Sequence, residues 1–220
     1  GRVAGDPALS TSSSMAPGFE DGLHMTGDSL PWLEWLRSRG YDTPGSPRDI
    51  WRPAKPRDVV DDQPTVYDAE ESESAFLTRA VTDFIADKGL TPWFAHVSYF
   101  RPHHPYIAPA PYNRLYDPLR TPPPVRAPTR AAEASIHPWN AAQLARQLAG
   151  PAPVQDGLPM TGIDDAAVAR LRAAYYGSVT ECDAMIGRLL QSLKAAGVFD
   201  QTLIVLTSDH GDLLGDHWLW

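Results

Sequence analysis

Apolar periodicity is clearest towards the C-terminal end of the chain. Between Asp164 and Ala196, apolar side chains recur every third or fourth residue, at Val168, Leu171, Tyr175, Val179, Cys182, Ile186, Leu189 and Leu193. This spacing puts them on one face of a helix. The aspartate at the start and Gly197 after the end are residue types that commonly cap helices. The pattern predicts one long helix that buries this face.

Runs rich in β-branched, aliphatic and aromatic residues flank that helix and predict strands. They are Trp93 to Phe100 on one side and Thr202 to Thr207 on the other. The second run has no charge, which is typical of a strand buried on both faces. The order strand, helix, strand predicts a crossover between parallel strands, and hence an α/β sheet.

Three shorter helices are predicted over residues 28–39, 72–87 and 131–148. Pro31 early in the first helix and Gly40 after it fit the usual positions of these residues. Proline-rich or period-free stretches predict irregular backbone over 1–27, 41–68, 101–130 and 151–162. No internal repeat or interior domain boundary is evident, and 101–162 is expected to hold Pro-rich loops and an insertion.

Polar side chains follow directly after the predicted strand at 202–207, in the order Ser208, Asp209, His210, Gly211. In open α/β sheets, ligands bind beyond the carboxyl ends of the strands. Aspartate oxygen and histidine nitrogen both bind divalent metals, and glycine lets the backbone turn sharply. A plain turn cap is the alternative, but the position favours Asp209 and His210 as metal ligands.

Two separate motifs resemble one known family. Ser208 to His217, with the sequence SDHGDLLGDH, resembles the metal-binding segment of the sulfatase branch of the alkaline phosphatase superfamily. Phe94 to Tyr112 contains Arg-Pro-His and then Ala-Pro-Ala-Pro-Tyr, and resembles the phosphonate monoester hydrolases and phosphodiesterases of that branch. The helical segment from Tyr175 to Leu190 is also similar, so the resemblance covers roughly residues 75–220.

The resemblance implies an alkaline-phosphatase-like α/β sandwich with a largely parallel central sheet, of which 1–220 is an internal fragment of one catalytic domain. The family's nucleophile is a formylglycine made from a Cys/Ser-x-Pro-x-Arg motif. Cys182 is followed by Asp183 and Ala184 and does not match, so it is predicted to be a core residue. The nucleophile and further acidic ligands are expected before Gly1, and a family lysine after Trp220.

The resemblance also implies roles for individual residues. Asp209 and His210 would hold one divalent ion, Ca²⁺, Mn²⁺ or Mg²⁺. His103 would donate to an ester oxygen or protonate the leaving group; a loop histidine bonded to backbone is the alternative. His104 stands where the family often has proline, which leaves open which histidine acts. Arg101 would meet substrate charge or form a structural salt bridge.

Neighbouring polar residues have two interpretations each. Asp212 either fixes the ring of His210 or is solvated. Asp216 and His217 organise the loop, with a second metal site as the alternative. Tyr106 lines the cleft or packs the Pro-rich loop.

The predicted function is hydrolysis of small phosphonate monoesters, phosphodiesters or sulfate esters through the formylglycine, with the 220-residue chain alone inactive. An arylsulfatase is the alternative within the family. A non-catalytic homologue that binds a metal or a partner is the alternative outside it. An intact upstream nucleophile motif distinguishes the enzyme from the binding protein.

Composition narrows the partners and the compartment. A net charge of −8 and a pI near 5.3 argue against nucleic-acid or membrane-surface partners. No apolar run reaches the roughly 18 residues of a membrane span. A single cysteine forbids an intrachain disulfide and favours a reducing, cytoplasmic compartment. The tryptophans Trp32, Trp35 and Trp51 are predicted to pack internally or to form an oligomer surface, which leaves a homo-oligomer open.

Overall fold

The computed structural model describes residues 23, 25, 29–43, 50–55, 61–150, 154–155, 158–159 and 163–220. Its helices are α1 (Leu30–Ser38), α2 (Glu73–Lys88), α3 (Arg130–Ile136), α4 (Pro138–Ala149) and α5 (Asp165–Ala195). Short 3-10 turns lie at Ala69–Glu71, Tyr112–Arg114, Pro118–Arg120, Phe199–Gln201 and Asp216–Trp218. Two strands, β1 (Val154–Gln155) and β2 (Leu158–Pro159), pair antiparallel, with Val154 opposite Pro159.

The long helix α5 confirms the prediction for 164–196. The Asp164 carboxylate accepts a hydrogen bond from the Ala167 amide at 2.7 Å, which caps its first turn. Gly197 follows the helix with φ of 71°, a conformation that glycine adopts without strain. On the apolar face, Val168, Leu171, Cys182 and Leu193 are buried, which makes Cys182 a core residue, whereas Val179 is 41% exposed.

The two helices predicted on the N-terminal side are confirmed as α1 and α2. Ser72 caps α2, because its hydroxyl accepts from the Ala75 amide at 3.1 Å. A buried cluster forms beside α1 from Trp32, Leu33, Leu36, Ile50, Trp51 and Tyr67. Trp35 packs against this cluster and against Phe76 at a centroid distance of 5.4 Å. These tryptophans therefore serve internal packing.

The single helix predicted over 131–148 is wrong, because the chain forms α3 and α4 with a break at His137. The backbone of His137 is extended, with φ of −152° and ψ of 140°. The ring of Pro138 disfavours helical geometry at the residue before it, whereas proline fits the first turn of the next helix. The His137 Nδ1 accepts from the Trp139 amide at 3.0 Å and caps α4.

The two runs predicted as strands have no hydrogen-bonded strand partner among the described residues. Side-chain burial alternates along 93–100, as it does in a strand with one covered face, and His96 is exposed rather than in the core. Leu203 is 90% exposed and Val205 78% exposed, so the predicted burial of 202–207 on both faces is wrong here. Burying a strand requires neighbours at its edges and faces, and the described part of the chain supplies none.

Within the described part of the chain, no helix is long and apolar enough to cross a bilayer.

Candidate active site

The first site element is the loop that follows 93–100, here called the His loop (residues 101–107). The His103 amide donates to the Phe100 carbonyl at 3.1 Å, and the Ile107 amide donates to the Pro105 carbonyl at 2.9 Å. These turns bring aromatic rings together: the centroid of the His103 ring lies 4.5 Å from that of Phe100. The ring of His104 is tilted against the ring of His103, with 4.1 Å between the two centroids.

The contacts of the His103 ring fix which nitrogen is available for chemistry. Nδ1 lies 2.8 Å from the His104 carbonyl oxygen. A carbonyl can only accept, so we assign the proton of the neutral ring to Nδ1. Nε2 then carries the lone pair of the neutral ring, or a transferable proton when the ring is charged. The backbone bond thus orients His103 and leaves Nε2 for a substrate.

Asp209 and His210 form the second site element. The His210 Nδ1 lies 2.9 Å from the Gly211 carbonyl, which by the same reasoning leaves Nε2 with a lone pair. That Nε2 is 3.7 Å from Asp209 Oδ2, while Asp209 Oδ1 accepts from the His210 amide at 3.0 Å. The pKa of His210 is raised by the Gly211 carbonyl, by Asp209 and by Asp212.

A tyrosine-lined joint holds the two elements together. Tyr106, from the His loop, lies close to Asp212, and burial followed by the charge of this carboxylate raises the pKa of Tyr106. Burial followed by the same carboxylate also raises the pKa of Tyr175 on α5. Leu214 is buried against Leu171 and Tyr106. Asp212 therefore organises the joint, and the Gly211 carbonyl rather than Asp212 sets the ring of His210.

Through this joint the predicted catalytic histidine and the predicted metal pair meet. The ring centroids of His103 and His210 lie 6.5 Å apart, although 107 positions separate them in sequence. The side chains of Asp209 and His210 are 89% and 58% exposed, so both remain accessible to a ligand. The arrangement can place one imidazole nitrogen beside an ester held at the other two side chains.

A family model described as Sulfatase matches residues 5–219. The chain belongs to the sulfatase family. It is 34% identical over 227 residues to the multifunctional alkaline phosphatase superfamily protein PehA of Trinickia caryophylli, a match that covers 97% of this chain and 44% of PehA. It is 28% identical over 156 residues to an arylsulfatase of Clostridium perfringens, covering 70% of this chain and 30% of that protein.

Solved structures of phosphonate monoester hydrolases share the fold. The enzyme of Agrobacterium radiobacter superposes with a TM-score of 0.86 at 36% identity, covering all of this chain (100%) and 43% of that one. The enzyme of Silicibacter pomeroyi gives 0.84 at 37% identity, covering 99% and 43%. The chain is thus a member of the alkaline phosphatase superfamily with the fold of these hydrolases, and it spans less than half the length of these relatives.

Arg101 has a different environment from the one expected of a substrate contact. Its side chain is buried, and its guanidinium donates to the carbonyls of His103 at 3.0 Å, of Pro105 at 2.8 Å and of Ile107. These bonds turn the cation towards the interior of the His loop. The contacts do not support the expectation that Arg101 meets substrate charge, and they are made with carbonyls rather than in a direct salt bridge.

A second polar network, which no sequence pattern predicted, is centred on Glu133 of α3. Glu133 is 1% exposed, and its carboxylate accepts from the Ala127 amide at 2.7 Å, from Asn140 at 2.8 Å and from His217 Nδ1 at 2.8 Å. Its pKa is lowered by the Ala127 amide first and then by His217. The network confirms that His217 organises the loop, but a lone glutamate in an amphipathic helix carries no pattern that reveals a distant histidine.

Asp209 and His210 fit part of a divalent metal site. Carboxylate oxygen and imidazole nitrogen suit Mn²⁺, and the carboxylate suits Ca²⁺ and Mg²⁺. A separation of 3.7 Å between Nε2 and Oδ2 is compatible with two donors on one ion. Across the described ranges, no group of three or more His, Cys, Asp or Glu side chains is arranged to hold a metal. The pair fits the implied ion as two donors of a larger set, since such hard cations take about six or more ligands.

Proposed function

We propose that the protein is a metal-dependent hydrolase of phosphonate monoesters and phosphodiesters, acting through a formylglycine nucleophile outside this chain. The observation that carries the proposal is the convergence of His103 on the Asp209–His210 pair, with 6.5 Å between the two imidazole centroids. Sequence motifs far apart in the chain meet at one exposed site. The membership in the sulfatase family supports this reaction class.

Each side chain in this site has a specific chemical role. Asp209 and His210 hold one divalent ion, Ca²⁺, Mn²⁺ or Mg²⁺, through a carboxylate oxygen and the lone pair on Nε2. When bound, that ion supplies positive charge next to a non-bridging ester oxygen. His103 carries a proton on Nε2 towards the leaving-group oxygen, while its Nδ1 stays on the His104 carbonyl. His104 orients that ring and lines the substrate side.

The finer architecture forms part of the same proposal. Residues 93–100 and 202–207 are strands of a largely parallel central sheet that other parts of the sulfatase domain complete. The alternating burial along the first run supports this, as do the uncharged side chains exposed along the second. Exposed apolar side chains in a row are costly in water, so a covering neighbour is expected. His103, Asp209 and His210 then lie beyond the carboxyl ends of these strands.

The Ala-Pro-Ala-Pro-Tyr segment and the two phosphonate monoester hydrolase structures favour phosphorus esters as substrates. A sulfate ester is the second candidate, supported by the similarity to the arylsulfatase of Clostridium perfringens. Both are small anionic esters.

The test is made on the complete gene product, with metal content and turnover measured together. Asp209→Ala and His210→Ala should each lose bound metal and lower turnover of an aryl phosphonate monoester by at least 100-fold. Asp183→Ala, an exposed carboxylate on α5, is the matched control and should change neither. A variant of Asp209 or His210 with full metal content and full turnover would contradict the ligand assignment.

The role of His103 is tested separately with two leaving groups. His103→Ala should lower turnover of an alkyl ester by about 100- to 1,000-fold and of an activated nitrophenyl ester by much less, because a good leaving group needs no acid. His104→Ala should show a smaller loss with no dependence on the leaving group. Equal losses for both variants on both esters would remove His103 as the acid.

A further inference from the structure

Unsatisfied polar atoms concentrate in one buried place between α2, α5 and the His loop. Among the described residues, the buried side-chain atoms without a hydrogen-bond partner include Glu73 Oε2, Ser74 Oγ, Arg101 Nε and both carboxylate oxygens of Glu181. The four side chains are between 1% and 4% exposed. Buried polar groups are normally satisfied, so such a concentration calls for an explanation.

The formal charges in this cluster do not balance. Arg101 supplies one positive charge, whereas Glu73 and Glu181 supply two negative charges if both are ionised. Burial raises the pKa of both carboxyl groups, and Arg101 offsets this only in part. A net buried charge is far more costly than a bound proton, so one carboxyl group is expected to be neutral.

The other groups that face the cluster do not supply a second cation. Hydroxyl groups of Ser29 and Ser72 lie at Glu73 and Glu181, and burial raises the pKa of Tyr67. Burial likewise raises the pKa of the Cys182 thiol to about 12. Among these groups, a proton is therefore the simplest compensation for the second carboxylate.

The cluster is connected directly to the proposed acid. The two Nη atoms of Arg101 donate to the carbonyls of His103, Pro105 and Ile107, so one guanidinium clamps alternate residues of the His loop. The Arg101 carbonyl in turn accepts from the Cys182 thiol at 3.2 Å, which ties the start of the loop to α5. Only a planar, forked cation can serve these acceptors together, because a lysine ammonium is a single point charge.

We propose that Arg101, the positioning residue of a buried triad with Glu73 and Glu181, sets His103 against His210, and that one of the two carboxyl groups carries a proton so that the triad is neutral. This inference rests on the proposed function for the role of His103. None of the three residues touches substrate. Arg101 acts through the backbone of the His loop. The two glutamates act on it through their charge, since Arg101 Nε and both Glu181 carboxylate oxygens have no hydrogen-bond partner among the described residues.

The first experiment replaces the planar guanidinium of Arg101 by an ammonium group and keeps the positive charge. In the complete gene product, Arg101→Lys should lower kcat on the order of 10- to 100-fold, because a small displacement of an acid has an effect of this size. KM and metal content should stay within about twofold, since Asp209 and His210 are untouched. Arg188→Lys is the matched control, because Arg188 pairs with Glu70 on the exposed side of α5 at 2.7 Å. Unchanged kcat in Arg101→Lys would overturn the proposal.

The second experiment tests how many of the two buried carboxyl groups, Glu73 and Glu181, are ionised. Glu73→Gln and Glu181→Gln should each keep kcat within about twofold, because either substitution leaves one carboxylate for Arg101. The double substitution should reproduce the loss seen in Arg101→Lys. If kcat falls as far in each single variant as in the double variant, the presence of one protonated carboxyl group in the triad is excluded. The single variants decide this point even if the double variant does not fold.

His103→Ala separates failure of this inference from failure of the proposed function. If His103→Ala retains full turnover, the acid assignment fails, and the triad is then judged by the NMR shift of the His103 Cε1 proton. That shift should move in Arg101→Lys and stay unchanged in Arg188→Lys. If His103→Ala is inactive while Arg101→Lys has wild-type kcat and an unchanged shift, only the triad is wrong.

Discussion

The ten residues from Ser208 to His217 divide into two halves that differ in how hydrogen bonds hold them. In the first half, Asp209 and His210 hydrogen-bond, among the described residues, only to immediate neighbours and remain largely exposed. In the second half, Asp216 accepts from Arg172 and from the Val125 amide, both at 2.6 Å, while His217 pairs with Glu133. Long-range bonds therefore fix one half, and the other is left free to bind.

The difference shows how a ligand-binding turn can be placed accurately without being buried. The backbone passes through the left-handed region at Leu214 and His217 of the second half and at Trp218 directly after it, which strains residues that have a Cβ. Bonds from α3, α5 and the Pro-rich segment hold that conformation. The position of the exposed Asp209 and His210 therefore depends on this anchored neighbouring segment.

The largest expected effect comes from releasing the anchored half. Arg172 is buried and donates to the Leu214 carbonyl at 3.1 Å and to Asp216. Arg172→Met should lower the free energy of unfolding by about 3 kcal/mol, at the low end for a broken buried pair because the Asp216 side chain keeps 32% exposure. Urea denaturation measures this change. Arg188→Met, which breaks an exposed pair on the same helix, should cost about 1 kcal/mol or less, and equal losses would contradict the comparison.

A smaller loss of stability is expected from a substitution that forces α5 away from Tyr112. A Cβ on Gly177 would lie 2.3 Å from the Tyr112 carbonyl oxygen, a backbone atom that cannot rotate away. Gly177→Ala should therefore destabilise the fold by about 1–3 kcal/mol through overpacking. Gly187→Ala is the matched control on the same helix, since nothing lies within 4 Å of its Cβ position. It should stabilise the helix by about 0.5–1 kcal/mol. The two thermal unfolding midpoints should thus move in opposite directions, and a common sign would refute the packing argument.

The anchored half should also respond to acid. The pKa of Glu133 in the folded protein is lowered by the Ala127 amide and by His217. Its contribution to stability is therefore complete above the unfolded pKa, about 4.3, and is lost as pH falls through the folded value. Glu133→Gln should reduce stability at pH 7 and flatten the fall in the unfolding midpoint between pH 5 and 3 (about this window, from the reference value). An unchanged acid profile would show that Glu133 is not coupled to folding.

The sequence was sufficient to predict elements that depend on residues close by in the same segment of the chain. The helical periodicity of α5 and its cap Asp164 each express a local rule, and the structure confirms them. The break at His137 is a local rule as well, because the proline after it could have been weighed against the helical pattern. The run 202–207 shows the limit of such patterns: they indicate which residues can be buried but not what covers them.

The site shows the same limit. The residue types and spacing of Asp209 and His210 indicated metal chemistry, and the Arg-Pro-His motif indicated His103. Their approach to one another depends on Tyr106 and Tyr175, which have no distinctive pattern in the sequence. For Arg101 the sequence shows the charge but not the loop carbonyls that the guanidinium contacts.

The smallest expected effect on stability comes from the exposed half. Asp209→Ala and His210→Ala remove only local hydrogen bonds, so without metal each should change the free energy of unfolding by no more than about 0.5 kcal/mol. Added Mn²⁺ should then separate the variants from the wild type. A ligand that binds only the folded state stabilises it by about 2.7 kcal/mol at 100 times its Kd, and the variants should lose most of this gain. Thermal unfolding of the complete gene product, with a chelator and then with excess Mn²⁺, measures both quantities. A large loss already in chelator would mean that these side chains are structural, and the division of the motif into an anchored half and a binding half would be wrong.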